Sequence, residues 1–253
     1  MSAEGPRAVQ GRTERFEVHT YEVDAFQKLA VPALAGFLQE VAGHHASEMG
    51  CGFEAMKARG LAWVLLRQRV EVAHPIALGE VLEVTTWPSG VDRLAALREF
   101  VVRRRDGAEV ARATTQWIVM DLERRRPVRP DRVLEPAHRE PREHVLPAPE
   151  PELPVPSSWE AERRFSIRYQ DIDMVLHVNN TSYAGWAIEA LPRETWQSHR
   201  LASLEAHFLA ECQYGSTVIS RLSGSGPFLH GIFREEDGRE LARLRTSWVA
   251  RGP

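Results

Sequence analysis

The sequence predicts an α+β fold in which one long helix followed by an antiparallel sheet occurs twice along the chain. Three observations predict it. The two halves of the chain repeat each other, a helical apolar pattern precedes strand patterns in each half, and a proline-rich segment separates the halves. The 253 residues, 43% of them hydrophobic and 26% charged, are enough to bury a sizeable core.

The internal repeat is visible by direct alignment of the two halves, and such repeats should be sought before other patterns. Matching pairs are Phe16 and Phe165, Asp24 and Asp173, Gly79 and Gly215, and Trp117 and Trp248. The spacing between partners shortens in steps along the chain and only at gaps, as expected if the second copy has shorter connections. The sequence therefore predicts a duplicated domain.

A linker is predicted between the copies, because nine of the sixteen prolines fall between Pro127 and Pro156. Proline-rich chain tends to be extended and fairly stiff, so we expect this segment to run over the surface. The predicted units are a first copy at 12–134, the linker at 135–159 and a second copy at 160–253.

Each copy is predicted to begin with a short strand and one long amphipathic helix. In the first helix, Val31 to Met49, apolar residues recur at helical spacing on one face. The second helix is expected from about Thr181 to Leu191, with Asn180 or Thr181 as its N-cap and Pro192 marking its end.

Strands are predicted after each helix, and Asp-Gly pairs mark a hairpin between the last two strands of each copy. The predicted strands are 63–73, 81–87, 94–105 and 109–121 in the first copy and 204–211, 217–223, 229–235 and 239–251 in the second. The Asp-Gly pairs are 106–107 and 237–238.

Bulk properties exclude several classes of protein. The formal net charge of −3 argues against a nucleic-acid partner. The two cysteines, Cys51 and Cys212, give no disulfide framework or zinc spacing, and the His44-His45 pair has no further ligands nearby, so we expect surface histidines and no metal or cofactor. A polar N-terminus and the lack of an apolar run near ~18 residues predict a cytoplasmic protein without a membrane span.

One segment carries most of the chemistry. The stretch from Tyr169 to Trp186, YQDIDMVLHVNNTSYAGW, resembles the D-x-D-x-x-x-H-V-N-N-x-x-Y-x-x-W signature of acyl-acyl-carrier-protein thioesterases. Supporting stretches are 63–72, 79–90 and Ala210-Glu211-Cys212, so the resemblance extends from about Phe16 to Val249. It implies a tandem hotdog fold and hydrolysis of fatty acyl-acyl carrier protein (acyl-ACP) in fatty acid biosynthesis.

The candidate catalytic residues are Asp173, His177 and Glu211. Thioester hydrolysis needs a polarised carbonyl, a positioned water and a group that takes the water's proton. An imidazole, with an unperturbed pKa of about 6.5, exchanges protons readily. Asp173, four residues earlier, could orient His177 or act directly as base or nucleophile, as in related hotdog enzymes. The resemblance assigns the water-activating base to Glu211, expected on a neighbouring strand.

Substrate contacts are predicted for Asn179, Asn180 and Trp63. A helix N-terminus after the two asparagines offers N–H groups and partial positive charge to an oxyanion. The simpler alternatives are a turn residue for Asp173, a half-buried surface histidine for His177, a helix cap for the asparagines and core packing for Trp63. A Cys212–His177 nucleophilic pair is a further alternative.

Two departures qualify the resemblance. Val175 stands where these thioesterases carry an asparagine, which leaves open an acyl-CoA thioesterase or a non-catalytic acyl-thioester-binding protein. In the first copy Lys28, Ala30 and Val31 occupy the positions of His177, Asn179 and Asn180, so chemistry is expected only in the second copy.

Partners follow from charge and duplication. The arginine runs 103–105 and 124–126 could dock an acidic carrier protein or simply be solvated. The duplication forms an internal pseudodimer, and a further homodimer is possible.

Overall fold

The structure is a computed structural model, and it describes residues 11–252. The helices are α1 (Val31–Glu48), α2 (Phe53–Lys57), α3 (Asn180–Glu189) and α4 (Arg193–Ser198). The first-half strands are β1 (Arg12–Glu17), β2 (Leu61–Val72), β3 (Val81–Asp92), β4 (Ala95–Arg104), β5 (Glu109–Asp121) and β6 (Arg126–Val128). The second-half strands are β7 (Ala161–Ser166), β8 (His199–Phe208), β9 (Thr217–Ser223), β10 (Phe228–Arg234) and β11 (Glu240–Ala250).

One continuous antiparallel sheet holds both halves together. Its order is β1-β3-β4-β5-β2-β8-β11-β10-β9-β7, with β6 paired to β5. The order on one side of the β2–β8 pair repeats on the other side, since β1, β3, β4, β5 and β2 correspond in turn to β7, β9, β10, β11 and β8. At the centre Arg67 lies opposite His207, and Glu71 lies opposite Ser203. The two halves are therefore joined by main-chain hydrogen bonds as well as by the linker.

The two long helices pack on one face of this sheet, each over its own half. From α1, Leu34, Phe37 and Val41 enter the first core, where Phe37 stacks on Phe16 with ring centroids 4.6 Å apart. From α3, Trp186 enters the second core in the same way. Burial of apolar surface at about 25 cal/mol per Å² is the main stabilising contribution to such cores.

The predicted duplication is confirmed by the positions of the elements, because four pairs of equivalent elements begin at residues that the alignment of the two halves pairs. The paired first residues are Arg12 and Ala161 for β1 and β7, Val31 and Asn180 for α1 and α3, Val81 and Thr217 for β3 and β9, and Glu109 and Glu240 for β5 and β11. The glycines of both predicted Asp-Gly turns have positive φ, 86° at Gly107 and 67° at Gly238. The molecule is thus an α+β tandem hotdog, as the resemblance implies.

Several local predictions were wrong. The strand β3 continues to Asp92, five residues past its predicted end, and β8 begins at His199, five residues before its predicted start. The strand β8 ends at Phe208 and not at Glu211, because the N–H groups of Leu209 and Ala210 both donate to the carbonyl of Leu241 and so break the ladder. His45 is buried rather than on the helix surface, and its Nδ1 lies 3.0 Å from the guanidinium of the buried Arg98.

The segment between the copies crosses the sheet face opposite the helices, where two buried glutamates hold it. The carboxylate of Glu99, fully buried, accepts hydrogen bonds from the Ser89 hydroxyl at 2.7 Å and the Val145 N–H at 3.2 Å. Glu205 accepts from the Glu150 N–H at 2.7 Å. A buried carboxylate needs such donors, so the segment between the copies is fixed to both halves of the sheet.

None of the helices within residues 11–252 has the length and the apolar character needed to cross a membrane.

Candidate active site

The turn from Asp173 to His177 is closed by the aspartate carboxylate. Its Oδ1 accepts hydrogen bonds from the N–H groups of Val175 at 2.9 Å and His177 at 3.2 Å. The N–H of Asp173 donates to the carbonyl of His177 at 2.8 Å. Aspartate favours such turns because its short side chain reaches main-chain N–H groups two residues onward. Asp173 therefore fixes the backbone of His177.

The turn is anchored to the loop that follows β8. The N–H of Val178 donates to the carbonyl of Cys212 at 2.9 Å, and the N–H of Asn179 donates to the carbonyl of Asp171 at 2.8 Å. Cys212 is buried in the second core. These bonds place His177 beside Glu211, the residue before Cys212.

His177 and Glu211 face each other across this junction. Nε2 of His177 lies 3.4 Å from Oε2 of Glu211, and the two side chains are 35% and 43% exposed. Both groups are thus reachable by a water molecule and by substrate. The structure brings together this pair of predicted residues although they are far apart in the chain.

An arginine from the first half completes the environment of Glu211. The Nη2 of Arg125, in the turn between β5 and β6, donates to Oε1 of Glu211. This hydrogen bond lowers the pKa of Glu211 below its ordinary value; partial burial opposes the effect, and the charge of His177 adds to it. Sequence reasoning missed this role of Arg125, because a contact between distant turns leaves no local pattern in the sequence.

The other arginines of the two predicted docking runs mostly have acidic neighbours. Arg124 pairs with Asp121 of its own turn at 3.1 Å, and Arg104 pairs with Glu80 at 2.7 Å. Arg103 lies 3.4 Å from Glu109. Much of the positive charge in these runs is therefore balanced within the molecule.

The helix that follows the turn is capped by Asn179, not by Asn180 or Thr181 as predicted. The side-chain oxygen of Asn179 accepts from both the N–H and the hydroxyl of Thr181 at 2.9 Å. The Ser182 N–H also donates to the carbonyl of Asn179, at 3.0 Å. The first helical N–H groups are thus partly used by the cap, which reduces the number available to an oxyanion.

Asn180 lines a narrow cleft between the start of α3, α1 and the first-half sheet. Leu38, Gln39, Gln68 and Trp117 are among the other lining residues. The cleft contains about 300 Å³ of empty space, open solvent included, and its passable interior of about 10 Å³ has room for about one water molecule. It has to widen before an acyl chain can enter here.

Trp63 lies in the first copy, away from the turn in sequence. Its Nε1 donates to the carbonyl of Cys51 at 2.9 Å, and its ring packs in a cluster with Met56 and Val119. The observed contacts of Trp63 are those of a core residue, and a contact with substrate stays a prediction.

The surface around the turn is apolar. Met174 and Leu176 are 77% and 74% exposed, and Val175 is 43% exposed. The Val175 N–H is already bonded to Asp173, and its side chain has no hydrogen-bonding group. Nothing at position 175 can therefore polarise a carbonyl through a side-chain amide.

Two alternative chemistries gain no geometric support. Cys212 is 1% exposed in the second core, whereas a nucleophilic cysteine is typically accessible and in an electropositive environment. Within residues 11–252, no three His, Cys, Asp or Glu side chains gather closely enough to hold a metal ion.

Comparison with protein families gives two matches that together span most of the chain. The acyl-ACP thioesterase N-terminal domain matches residues 11–136, and the acyl-ACP thioesterase C-terminal domain matches residues 156–250.

Individual proteins similar to this chain are also acyl-ACP thioesterases. Oleoyl-acyl carrier protein thioesterase 1, chloroplastic, of Arabidopsis thaliana is 30% identical, over 93% of this chain and 75% of the relative. The 12:0-ACP thioesterase from Umbellularia californica superimposes with a TM-score of 0.83 at 25% identity, over 95% of this chain and 98% of that one. An acyl-ACP thioesterase from Bacteroides thetaiotaomicron superimposes with a TM-score of 0.85 at 23% identity, over 94% and 98% of the two chains.

Proposed function

Because the chain belongs to the acyl-ACP thioesterase family, we propose that it is a thiolester hydrolase that converts fatty acyl-ACP into free fatty acid and ACP. The observation that carries the proposal is the approach of His177 to Glu211, 3.4 Å apart, at an accessible turn before α3. We place the reaction in fatty acid biosynthesis.

The proposed reaction uses a water molecule bound beside these two side chains. Glu211, kept ionised by Arg125, accepts a proton as the water oxygen bonds to the thioester carbon. The carbon–sulfur bond then breaks, and protonated His177 delivers its proton to the departing sulfur, so that the products are the fatty acid and the carrier's thiol. The proton on Glu211 then passes to His177, which restores both groups. Asp173 acts on this step indirectly, through the backbone of His177.

The start of α3 is the proposed site for the thioester group. Asn180 lines the cleft there, and Asn179 holds the first turn of the helix in place. The partial positive charge of a helix N-terminus favours the developing oxyanion. Trp63 and the first-half core are proposed to contact the acyl chain once the cleft widens.

A slow enzyme is expected, since Val175 offers no amide. Removing one oxyanion donor typically costs ~10²–10³ in rate, and the backbone N–H groups of Val175, His177 and Thr181 are already engaged. The second candidate function, a non-catalytic acyl-thioester-binding protein, rests on this same valine. Hydrolysis of acyl-CoA is the third candidate, and it differs from the first only in the carrier.

Mass spectrometry of purified protein with matched acyl-ACP and acyl-CoA panels tests these candidates. We expect free fatty acid and free ACP from one or more acyl-ACPs, with slower release from the matched acyl-CoAs. Retention of intact thioester without release would identify a binder, and faster release from CoA would reverse the carrier assignment. The His177→Ala variant, run in parallel, measures background hydrolysis.

Location and assembly are two separate proposals. We propose a cytoplasmic protein, since the two cysteines lie in separate halves and form no disulfide framework, and we propose a homodimer beyond the internal pseudodimer. Cell fractionation tests the first point, and light scattering of the purified protein tests the second.

A further inference from the structure

We propose that Arg125 is a positioning residue for Glu211, supplied by the first copy to the site of the second. The inference rests on the proposed function, in which Glu211 is the general base. It assigns to one arginine of the run 124–126 a role in the chemical step, where the sequence pattern indicated only carrier docking.

The turn that carries Arg125 binds the neighbouring Arg124 locally and leaves Arg125 to reach the other half. Asp121, the last residue of β5, accepts hydrogen bonds from the N–H of Arg124 at 2.8 Å and from its guanidinium at 3.1 Å. Arg125 follows with a φ of 51°, in the left-handed region that non-glycine residues seldom adopt. Arg124 is thus bound to its own turn, while Arg125 reaches across to Glu211 in the other half.

Glu211 needs an external support of this kind. It lies after the end of β8, in a loop without regular secondary structure, and its side chain is 43% exposed. A glutamate in that setting has several rotamers of similar energy. Arg125 binds Oε1, which leaves Oε2 directed at Nε2 of His177. The two contacts together select one orientation of the carboxylate.

Arg125 acts on Glu211 through its charge as well as by orienting the carboxylate. The groups that act electrostatically on Glu211 are Arg125 from the β5–β6 turn, His177 from the turn before α3, Arg239 from the β10–β11 turn and Tyr183 from α3. Arg125 makes the largest contribution, and it keeps the carboxylate ionised and able to accept a proton at lower pH. A base that must be ionised is lost as the pH falls through its pKa. Without Arg125 the pKa of Glu211 rises, so activity is lost at a higher pH.

The test compares Arg125→Gln with Arg124→Gln, on the acyl-ACP that the wild-type protein hydrolyses fastest. For Arg125→Gln we expect kcat to fall on the order of tenfold, less than the ~10² expected when a general base is removed. The acid limb of its pH–rate profile should also move to higher pH. Arg124→Gln, equally exposed and one residue away, should keep the wild-type acid limb.

Two further variants separate positioning from other roles. Arg125→Lys keeps the charge without the planar guanidinium, so it should restore the acid limb more fully than kcat. In a Glu211→Gln background, Arg125→Gln should cause no additional loss, because the arginine acts only through that carboxylate.

The outcomes are distinct. A wild-type kcat and acid limb in Arg125→Gln would overturn the inference, as would a loss confined to KM, which indicates carrier docking. An additive loss in the double variant would also overturn it. If Arg125→Gln does not fold, Arg125→Lys is compared with Arg124→Lys, and kcat alone decides. The value of kcat should fall in Arg125→Lys and not in Arg124→Lys. Failure of the proposed function is separate, since the wild-type protein would then release no fatty acid in any of these assays.

Discussion

The two copies contain the same turn, and only one of them carries a candidate site. In the first copy Oδ1 of Asp24 accepts from the N–H groups of Phe26 at 2.8 Å and Lys28 at 3.0 Å. In the second copy Asp173 makes the equivalent bonds to the N–H groups of Val175 and His177. The turn therefore forms whether or not a histidine follows, and the observed contacts of Asp173 are those that close the turn.

The segments around the two turns agree as well. The N–H of Ala30 donates to the carbonyl of Glu22 at 2.8 Å, as the N–H of Asn179 does to that of Asp171. The N–H of Leu29 donates to the carbonyl of Ile76, as the N–H of Val178 does to that of Cys212.

The side chains at the corresponding points are what differ between the copies. Because Ile76 and Cys212 take equivalent places, the first-copy counterpart of Glu211 is Pro75, the residue before Ile76. The second copy thus has His177 with Glu211, where the first has Lys28 with Pro75.

The contacts that each turn makes with the opposite half differ too. Phe26, at the position of Val175, is covered by the guanidinium of Arg251, 3.7 Å from the ring centroid, and by an edge contact with Trp196. Both covering residues come from the second half. Both turns are exposed at their tips, with Phe26 36% and Val175 43% exposed, but the first receives Arg251 on its ring whereas the second receives Arg125 at Glu211. Duplication kept the scaffold in both copies, and the side chains that meet at each turn differ.

The largest expected effect concerns His177 and its counterpart. We expect His177→Ala to lower kcat/KM by at least ~10², the usual scale for a general acid–base group, and Glu211→Gln to do the same. Lys28→Ala, at the same point of the same turn, should leave kcat/KM unchanged. Steady-state kinetics on acyl-ACP measures all three, and a near-normal rate for His177→Ala would remove the site from the second copy.

The next effect is a gain. Val175→Asn places an amide at the exposed tip of the turn before α3, and we expect kcat to rise by up to ~10² if one oxyanion donor is missing. Val175→Ala is the control, since it shortens the side chain without adding a donor. Equal rates for wild type and Val175→Asn would show that another group already polarises the carbonyl.

A stability comparison separates the turn from the chemistry. Asp24→Ala and Asp173→Ala each remove a carboxylate that accepts two N–H groups, and we expect each to lower the free energy of unfolding by about 1–3 kcal/mol. Asp173→Asn should keep most of the activity, because an amide oxygen also accepts these bonds. Loss of activity in a stably folded Asp173→Asn would instead assign the carboxylate a direct part in catalysis. Urea unfolding and kinetics provide both readouts.

The smallest expected effect tests the contact of Arg251 with the first turn. Phe26→Ala removes the ring on which Arg251 stacks, and a partly exposed cation–π contact contributes about 0.5–1 kcal/mol to the free energy of unfolding. We expect a loss of that order with unchanged kcat. The first copy also lacks an equivalent of Glu211, so the double variant Phe26→Ala/Lys28→His should gain no activity. A new activity in that variant would contradict this view.

The elements of this fold could be predicted because their signals are local. Helical apolar spacing defined α1 to within one residue of its end, and the Asp-Gly pairs marked both hairpins. The turn before α3 was also accessible from sequence, since Asp173 and His177 are four residues apart. The end of β8 was not, because it depends on the carbonyl of Leu241 in β11, which accepts from the N–H groups of both Leu209 and Ala210.

The sequence by itself determined the duplicated α+β architecture, the family resemblance and the copy in which histidine follows the turn. Only the tertiary structure decided which distant groups meet there. It placed Arg125 on Glu211 and Arg251 over the ring of Phe26, and it bound the segment between the copies to Glu99 and Glu205. Each of these contacts joins residues that are far apart in the chain, and such pairs are fixed by packing and charge in three dimensions rather than by any local pattern.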